Sequence, residues 1–367
     1  MTEALAKLQE TRRESPSVQD SSGLVRPDGG AWFTEQDLAL LDALQSAPRA
    51  PWSRIGRAVG IDATTAARRW ERLRENGLAW VTAYDSARTT TVAFVEVRCR
   101  PRAHEAVSEA ASALPWVFSI EETAGDFDLL LSVAAGDLPG LGRAVHQVIG
   151  GMRGVRSARM RLGITLFGEG GDWRIRAMEP ARRAELGVSG LPSRTPYAVR
   201  HNPRASSAED QALITALGGD GRLGYTALAA ETGLSEHVTR RRVQRMLRDG
   251  DITLRCDFAH PLVGLRTMVV YRMSVPHALL AQTGHALARL GQVRMCASVT
   301  GPHNLLLQVL LHGLPAVDPF EAQLADSFPE LEIKDRTVAL CARKRMGWLL
   351  DTDGRAVGRV PLAPPEV

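Results

Sequence analysis

Between Ser235 and Gly250 the buried-type positions Thr239, Val243 and Met246 recur at i, i+4 and i+7, the spacing of one narrow helical stripe. His237, Arg240, Arg241, Gln244 and Arg248 occupy the remaining surface, and residues 236–249 hold five Arg against Glu236 and Asp249, a net +3. Ser235 is a residue type that caps a helix N-terminus, and Gly250 one that closes a helix in the left-handed conformation. Upstream, Ala208–Leu217 carries Leu213, Ile214 and Leu217 at helical spacing behind a Ser207/Asp210 capping-box pair. Tyr225–Thr232 predicts a short second helix with Leu228 inward, bounded by the Gly218–Gly221 loop and a turn at Gly233. Two helices, a glycine turn and a cationic third helix predict a helix-turn-helix whose last helix suits a DNA major groove. A solvated surface helix is the competing reading of any charge run.

The pattern occurs twice. At an offset of 173, Phe33–Leu78 lies over Ser206–Asp251 without a gap, matching Asp37 to Asp210, Leu40 to Leu213, Leu44 to Leu217 and Arg49 to Arg222. Gly60 matches Gly233, Arg68-Arg69 matches Arg241-Arg242, Arg72 matches Arg245 and Gly77 matches Gly250. The first cationic helix has Asp62 as its cap, Ala66, Trp70 and Leu73 inward, and a net +2 over residues 63–76. Behind each triplet the pattern alternates again. The first copy reads as strand Thr91–Arg100, helix Ala103–Leu114, strands Val117–Thr123 and Leu129–Ala134, helix Leu138–Ile149 and strand Val155–Phe167. The second runs through Thr267–Met273, His277–Leu290, Val293–Thr300, Leu305–Leu310, Val317–Phe328 and Ile333–Ala342. Both predict a ferredoxin-like βαββαβ unit, at an offset of 176 that places Gly125 on Gly301.

This order resembles the Lrp/AsnC (feast/famine) family of transcription regulators in a tandem-duplicated form. The resemblance is carried by Gly60-Ile61-Asp62, Arg68-Arg69, Leu73 and Gly77 with their twin, and by the turn Gly125-Asp126-Phe127-Asp128. It implies an α+β chain of two winged helix-turn-helix domains (31–88 and 206–262) alternating with two ferredoxin-like RAM domains (89–167 and 263–345). It also implies double-stranded DNA as partner, a small effector such as an amino acid, and a homo-oligomer in which the two RAM domains of one chain pair with each other. The DNA-contact candidates are Thr64, Thr65, Arg68, Arg69, Arg72, His237, Arg240, Arg241, Gln244 and Arg245. In the family the turn between the two middle strands lines an effector pocket. Carried over, that gives Thr123, Gly125, Asp126, Phe127 and Asp128, with Gly301, His303 and Asn304 in the second copy. Asp126 and Asp128 have an equally good reading as turn-shaping residues. The second copy departs by replacing both acids, and Ala158 and Met160 stand where the family often has ligand-binding threonines.

Composition changes this picture little. The chain has 44% apolar residues and a net charge of only +4, from 45 basic and 41 acidic side chains, so its cationic character is local to the recognition helices. Cys99, Cys256, Cys296 and Cys341 are dispersed, which predicts reduced thiols in strands and a cytoplasmic setting. Trp32, Trp52, Trp70 and Trp80 cluster in the first DNA-binding copy and are expected in its core. Residues 1–30 and 346–367 are expected as tails and 168–205 as a spacer between the halves. No signal peptide or membrane span is expected.

Catalytic patterns are missing. The His residues show no zinc-ligand spacing, no Gly-x-Ser-x-Gly elbow or phosphate loop occurs, and no cofactor or metal is expected. Sirohaem decarboxylases share the domain order, and Met295-Cys296 and Asn304…His312-Gly313 echo them faintly. Their His-Cys-Tyr and Trp-Pro-Tyr-Asn segments are absent here. An oligomerising scaffold is the third reading, and the arginines of the second recognition helix count against it.

Overall fold

The computed structural model describes residues 32–86, 91–186 and 207–365, so the expected N-terminal tail and the linker past Leu186 lie outside the described residues. The first half comprises α1 (Glu35–Ser46), α2 (Trp52–Val59), α3 (Ala63–Glu75), β1 (Ala79–Asp85), β2 (Thr91–Cys99), α4 (His104–Ser112), β3 (Val117–Ala124), β4 (Leu129–Ala135), α5 (Leu138–Arg143) and β5 (Val155–Gly168). After α6 (Pro180–Ala184) the second half repeats it: α7 (Ala208–Gly219), α8 (Tyr225–Thr232), α9 (Glu236–Asp249), β6 (Ile252–Phe258), β7 (Thr267–Ser274), α10 (Leu280–Leu287), β8 (Val293–Val299), β9 (Leu305–Leu311), α11 (Val317–Ser327) and β10 (Glu332–Arg345). Two short strands, β11 (Trp348–Leu350) and β12 (Ala356–Arg359), follow.

The helix triplets form where the caps dictate. Thr34 and Asp37 close a reciprocal capping box on α1, Ser207 accepts the Asp210 amide on α7, and Asp62 and Ser235 accept the amides of Thr65 and Val238. Gly60 and Gly233 end α2 and α8 at φ of 80° and 72°, a conformation that would strain any side chain, and this turns the chain into the third helix. Trp70 lies in the first core, as expected, and Trp32 and Trp52 pack partly buried against it, whereas Trp80 is buried outside that cluster, beside Trp348.

In each ferredoxin-like unit the helices cover one face of a four-stranded sheet, with cores built on Val95, Ile120 and Leu131 in the first and Tyr271, Leu307 and Phe320 in the second. The uncovered faces meet each other. β5 leaves β2 after Leu162 and continues along β8, while β10 leaves β7 near Ala339 and continues along β3. Eight strands thus close into a ring with no free edge in either unit. The two crossings are equivalent under the 176 offset: Gly163 opposes Val299, and Ala339 opposes Thr123. Inside the ring an apolar plug of Phe94, Phe127, Leu130, Val270, Ala297 and Leu306 holds the sheets together.

Three features differ from the expectation. The strand after each helix triplet does not form a wing within its own domain. Instead β1 and β6 pair antiparallel with each other, with the equivalent residues Thr82 and Arg255 opposed at the centre. Each helix triplet therefore packs on the other copy's strand: Phe258 and Cys256 sit in the first core, and Ala83 in the second. The first part of the expected spacer is also packed rather than loose. Trp173, Met178 and Leu186 are buried in the first core, the Met178 amide donates to Asp42 Oδ2 at 2.8 Å, and the Ile175 amide donates to Gln45 Oε1 at 3.0 Å. The expected C-terminal tail begins as a hairpin on β10 that sets Trp348 5.9 Å from Trp80 and lets Arg359 donate to the Thr215 carbonyl at 2.9 Å. All four cysteines are free, and all lie in strands.

Candidate nucleic-acid interface

The sequence pattern placed five arginines on α9, and the structure divides them into two groups. Arg242 and Arg245 turn back onto α7 and hold Asp210 at 3.0 and 2.6 Å. Arg69 and Arg72 of α3 hold the equivalent Asp37 of α1 at 3.2 and 2.6 Å. The separations along the chain, 32 and 35 residues, are the same in both copies. Burial pushes the Asp210 carboxyl up, and Arg245 and Arg242 outweigh it and hold it below the usual carboxylate range. Three of the ten DNA-contact candidates, Arg69, Arg72 and Arg245, are thus engaged with Arg242 in fixing the third helix to the first. Asp37 and Asp210, read from sequence only as matching positions and a capping box, are the anchors; the repeated separation is the signal that could have found them.

The other group faces outward. His237, Arg240, Arg241, Gln244 and Arg248 are exposed on α9, and Thr64 and Arg68 on α3. Thr65 is half-buried, with its amide on the Asp62 cap at 2.8 Å. Arg240 is braced by Glu236 at 3.1 Å and lies 4.8 Å from the centre of the Tyr225 ring. The outward face of α9 is therefore richer in cations than that of α3, as the local net charges suggested.

The two helix triplets are cross-linked by a pair of equivalent arginines. Arg49 donates to the carbonyls of Gly221 and Leu223 at 2.6 and 2.9 Å. Arg222 donates to the carbonyls of Pro48 and Ala50 and stacks 3.8 Å over the Trp52 ring. Burial, with Arg49 nearby, pulls the Arg222 guanidinium down to about 10. Together with the β1–β6 ribbon, these contacts make the two recognition helices parts of one block.

At the effector candidates the structure shows turn chemistry. The Thr123 hydroxyl donates to the Phe127 carbonyl and Asp128 Oδ2 accepts the Cys99 amide, both at 2.6 Å. In the second copy Asn304 takes the Asp128 position and brackets Val275, accepting its amide at 3.1 Å and donating to its carbonyl at 2.7 Å. Gly125 and Gly301 supply the positive φ of 155° and 117° that the turns need. His303 Nδ1 lies 3.4 Å from Ser274 Oγ. Phe127 is buried under Arg272, and Asp126 alone among the acids points outward, 3.7 Å from Arg98. The cavity beside this turn is about 20 Å3.

Comparison with known proteins agrees with this geometry. A family model for the AsnC-type helix-turn-helix domain matches residues 33–74 and again 208–247, and one for the Lrp/AsnC ligand binding domain matches 92–163. An uncharacterized HTH-type transcriptional regulator of Pyrococcus horikoshii is 30% identical over 126 residues, 32% of this chain and 84% of that protein. Another, from Pyrococcus furiosus, is 28% identical over 142 residues, 38% of this chain and 94% of that protein. Among solved structures, the siroheme decarboxylase NirDL superposes over 85% of this chain and 93% of its own, with a TM-score of 0.55 at 14% identity, a likeness of fold. With both helix triplets and the first sheet domain matched, and with 84% of a relative covered at 30% identity, the chain belongs to the Lrp/AsnC family.

Proposed function

We propose that this chain is a sequence-specific, double-stranded-DNA-binding transcription regulator of the Lrp/AsnC type, working in the cytoplasm without a catalytic step. The observation that carries this reading is the division of the α9 arginines. Arg242 and Arg245 are held by Asp210, while Arg241, Gln244 and His237 stand exposed on the same capped helix without an acidic partner from α7. Arg and Gln side chains presented in that way pair with guanine and adenine edges in the major groove. A genome-wide binding footprint tests it. Discrete sites upstream of genes are expected, and uniform low coverage would overturn the reading.

An amino-acid effector at the first-copy turn is a finer part of the same reading. Asp126 is the exposed carboxylate of the turn, in a loose pair with Arg98 at 3.7 Å, and so the one placed to accept an ammonium group there, because Asp128 holds the Cys99 amide. Calorimetry with the twenty amino acids checks it: an Asp126→Ala chain should lose the heat that the native chain gives, and silence with all of them would remove the effector from the account. We also read the molecule as a homo-oligomer of whole chains. Four of its exposed large hydrophobics are two repeat-related pairs, Leu138 with Leu314 and Ile164 with Leu340. Paired apolar positions of that kind suit symmetric association. Light scattering on Ile164→Asp, expected to give a smaller particle than the native chain, tests this.

A further inference from the structure

The apolar plug of the ring does not fill it. On β2 the inward positions run from Glu96 through Phe94 to Val92, and on β4 from Leu130 through Ser132 to Ala134; past the plug they open into a cavity of about 150 Å3. That space is many times what one water needs, so it is room for a small organic molecule. Its far wall is the β1–β6 ribbon and helix α7, through Thr82, Arg255, Ile214 and Thr215.

The polar groups at this cavity are left in a state that folding alone does not explain. Arg255 and Arg294 both hold Asp257, at 2.6 and 2.7 Å. Arg345, Glu121 and Gln308, respectively 5%, 4% and 7% exposed, line the same space. Arg345 Nη1, Glu121 Oε2 and Gln308 Nε2 are buried without a hydrogen-bond partner among the described residues. Each such atom carries a desolvation cost that a bound group would remove. Arg359, Asp85 and Glu169 line the space as well, and Arg255 and Arg294 are already engaged by Asp257. Two of the three unpartnered atoms, Arg345 Nη1 and Gln308 Nε2, are donors, so the unmet demand on that wall is for an acceptor, and the guanidinium favours one with negative charge. Phe94, Met295 and Leu166 supply an apolar wall beside it.

We propose that this cavity binds a small organic monocarboxylic acid, its carboxylate seated on Arg345 and the Gln308 amide and its apolar body against Phe94 and Met295. The site is separate from the 123–128 turn and does not rest on the DNA-binding reading. Burial, opposed by Arg345, Arg294 and Arg255, raises the Glu121 carboxyl to about 7. At mildly acidic pH Glu121 thus stands as a neutral donor beside the bound carboxylate, and above neutrality it becomes a competing anion. Arg345 and Glu121 also wall a second cavity, of about 260 Å3, against His260 and Pro261. Ile214 and Thr215 belong to the helix that carries Asp210, so a bound acid touches the element on which α9 is mounted.

The test is calorimetric titration of the full chain with benzoate, phenylacetate and indole-3-acetate, using neutral phenylacetamide and cationic phenethylamine as comparators. At least one acid is expected to bind at one per chain, and its amide or amine counterpart about tenfold more weakly or not at all. Arg345→Met should weaken the acid by about tenfold or more while the chain still unfolds cooperatively. Should that variant not fold, Ser132→Phe, which fills the cavity from β4, carries the same expectation. Affinity should fall as pH rises through 7, and Glu121→Gln should remove that fall. No binding by any of the three acids, equal binding of acid and amide, or binding unchanged in Arg345→Met and Ser132→Phe would overturn the site.

Discussion

Glu96 and Arg272 are the same position in the two copies, 176 residues apart, and their side chains meet at 2.8 Å inside the ring. Arg161 completes the pair on Glu96 at 2.8 Å. A residue that meets its own equivalent across a pseudo-twofold axis can be oppositely charged only if the copies differ. Pairing of two first copies would bring Glu96 against Glu96, and two second copies would bring Arg272 against Arg272. This buried contact thus favours first-with-second pairing, which a single chain supplies. Breaking one partner of a buried pair is costly, so Glu96→Gln should destabilise the chain by about 2–4 kcal/mol. A double-mutant cycle with Arg272→Gln in urea unfolding should return a coupling of about 1 kcal/mol or more; additive effects would remove the role.

Glu121 belongs to the same scale. Its folded-state value is raised from 4.5 to about 7, so the stability it contributes is full below 4.5 and is lost as pH rises through 7. Glu121→Gln should therefore flatten the pH dependence in that window and exceed the native chain in stability above it, by roughly 3 kcal/mol at most. Urea unfolding over a pH series decides this, and superimposable profiles would contradict it. Neither residue stood out in the sequence. A Glu or Arg in an alternating strand reads as solvent-facing, and only closure of the ring turns that face inward.

At the scale of the element, the recognition helices were legible and their division of labour was not. Caps, inward stripes and end glycines were set by local rules that operate within a dozen residues, and each formed as expected. Which arginines remain free depends on α1 and α7, more than 30 residues away. Arg241→Ala should lower specific DNA affinity by roughly 1–3 kcal/mol and leave stability alone. Arg245→Ala should instead lower stability by about 1–2 kcal/mol, since it leaves buried Asp210 short of a charged donor. Gel-shift titration and thermal unfolding of both variants separate the roles, and the reverse assignment would refute the division. The packed segment around Trp173 was hidden for a related reason. Its glycines, prolines and arginines resemble a spacer, and its three buried apolar residues find their core only once α1 and β6 are side by side.

At the scale of the molecule, internal repetition was the strongest signal: two offsets, 173 and 176, gave the domain order and the equivalence of the halves. The way the halves interlock was beyond it, because strand exchange between β1 and β6 and the crossing of β5 and β10 are contacts between copies, with no local signature. The result is a chain whose two recognition helices are held in one block and are chemically unlike, with Thr64 and Arg68 outward on one, and His237, Arg241 and Gln244 outward on the other. Selection of bound duplexes from a random pool by the full chain tests this most directly. The account predicts a site of two unlike half-sites at fixed separation, the half read by α9 more strongly specified and degraded by Arg241→Ala. A strictly symmetric palindrome, or no enrichment at all, would contradict it.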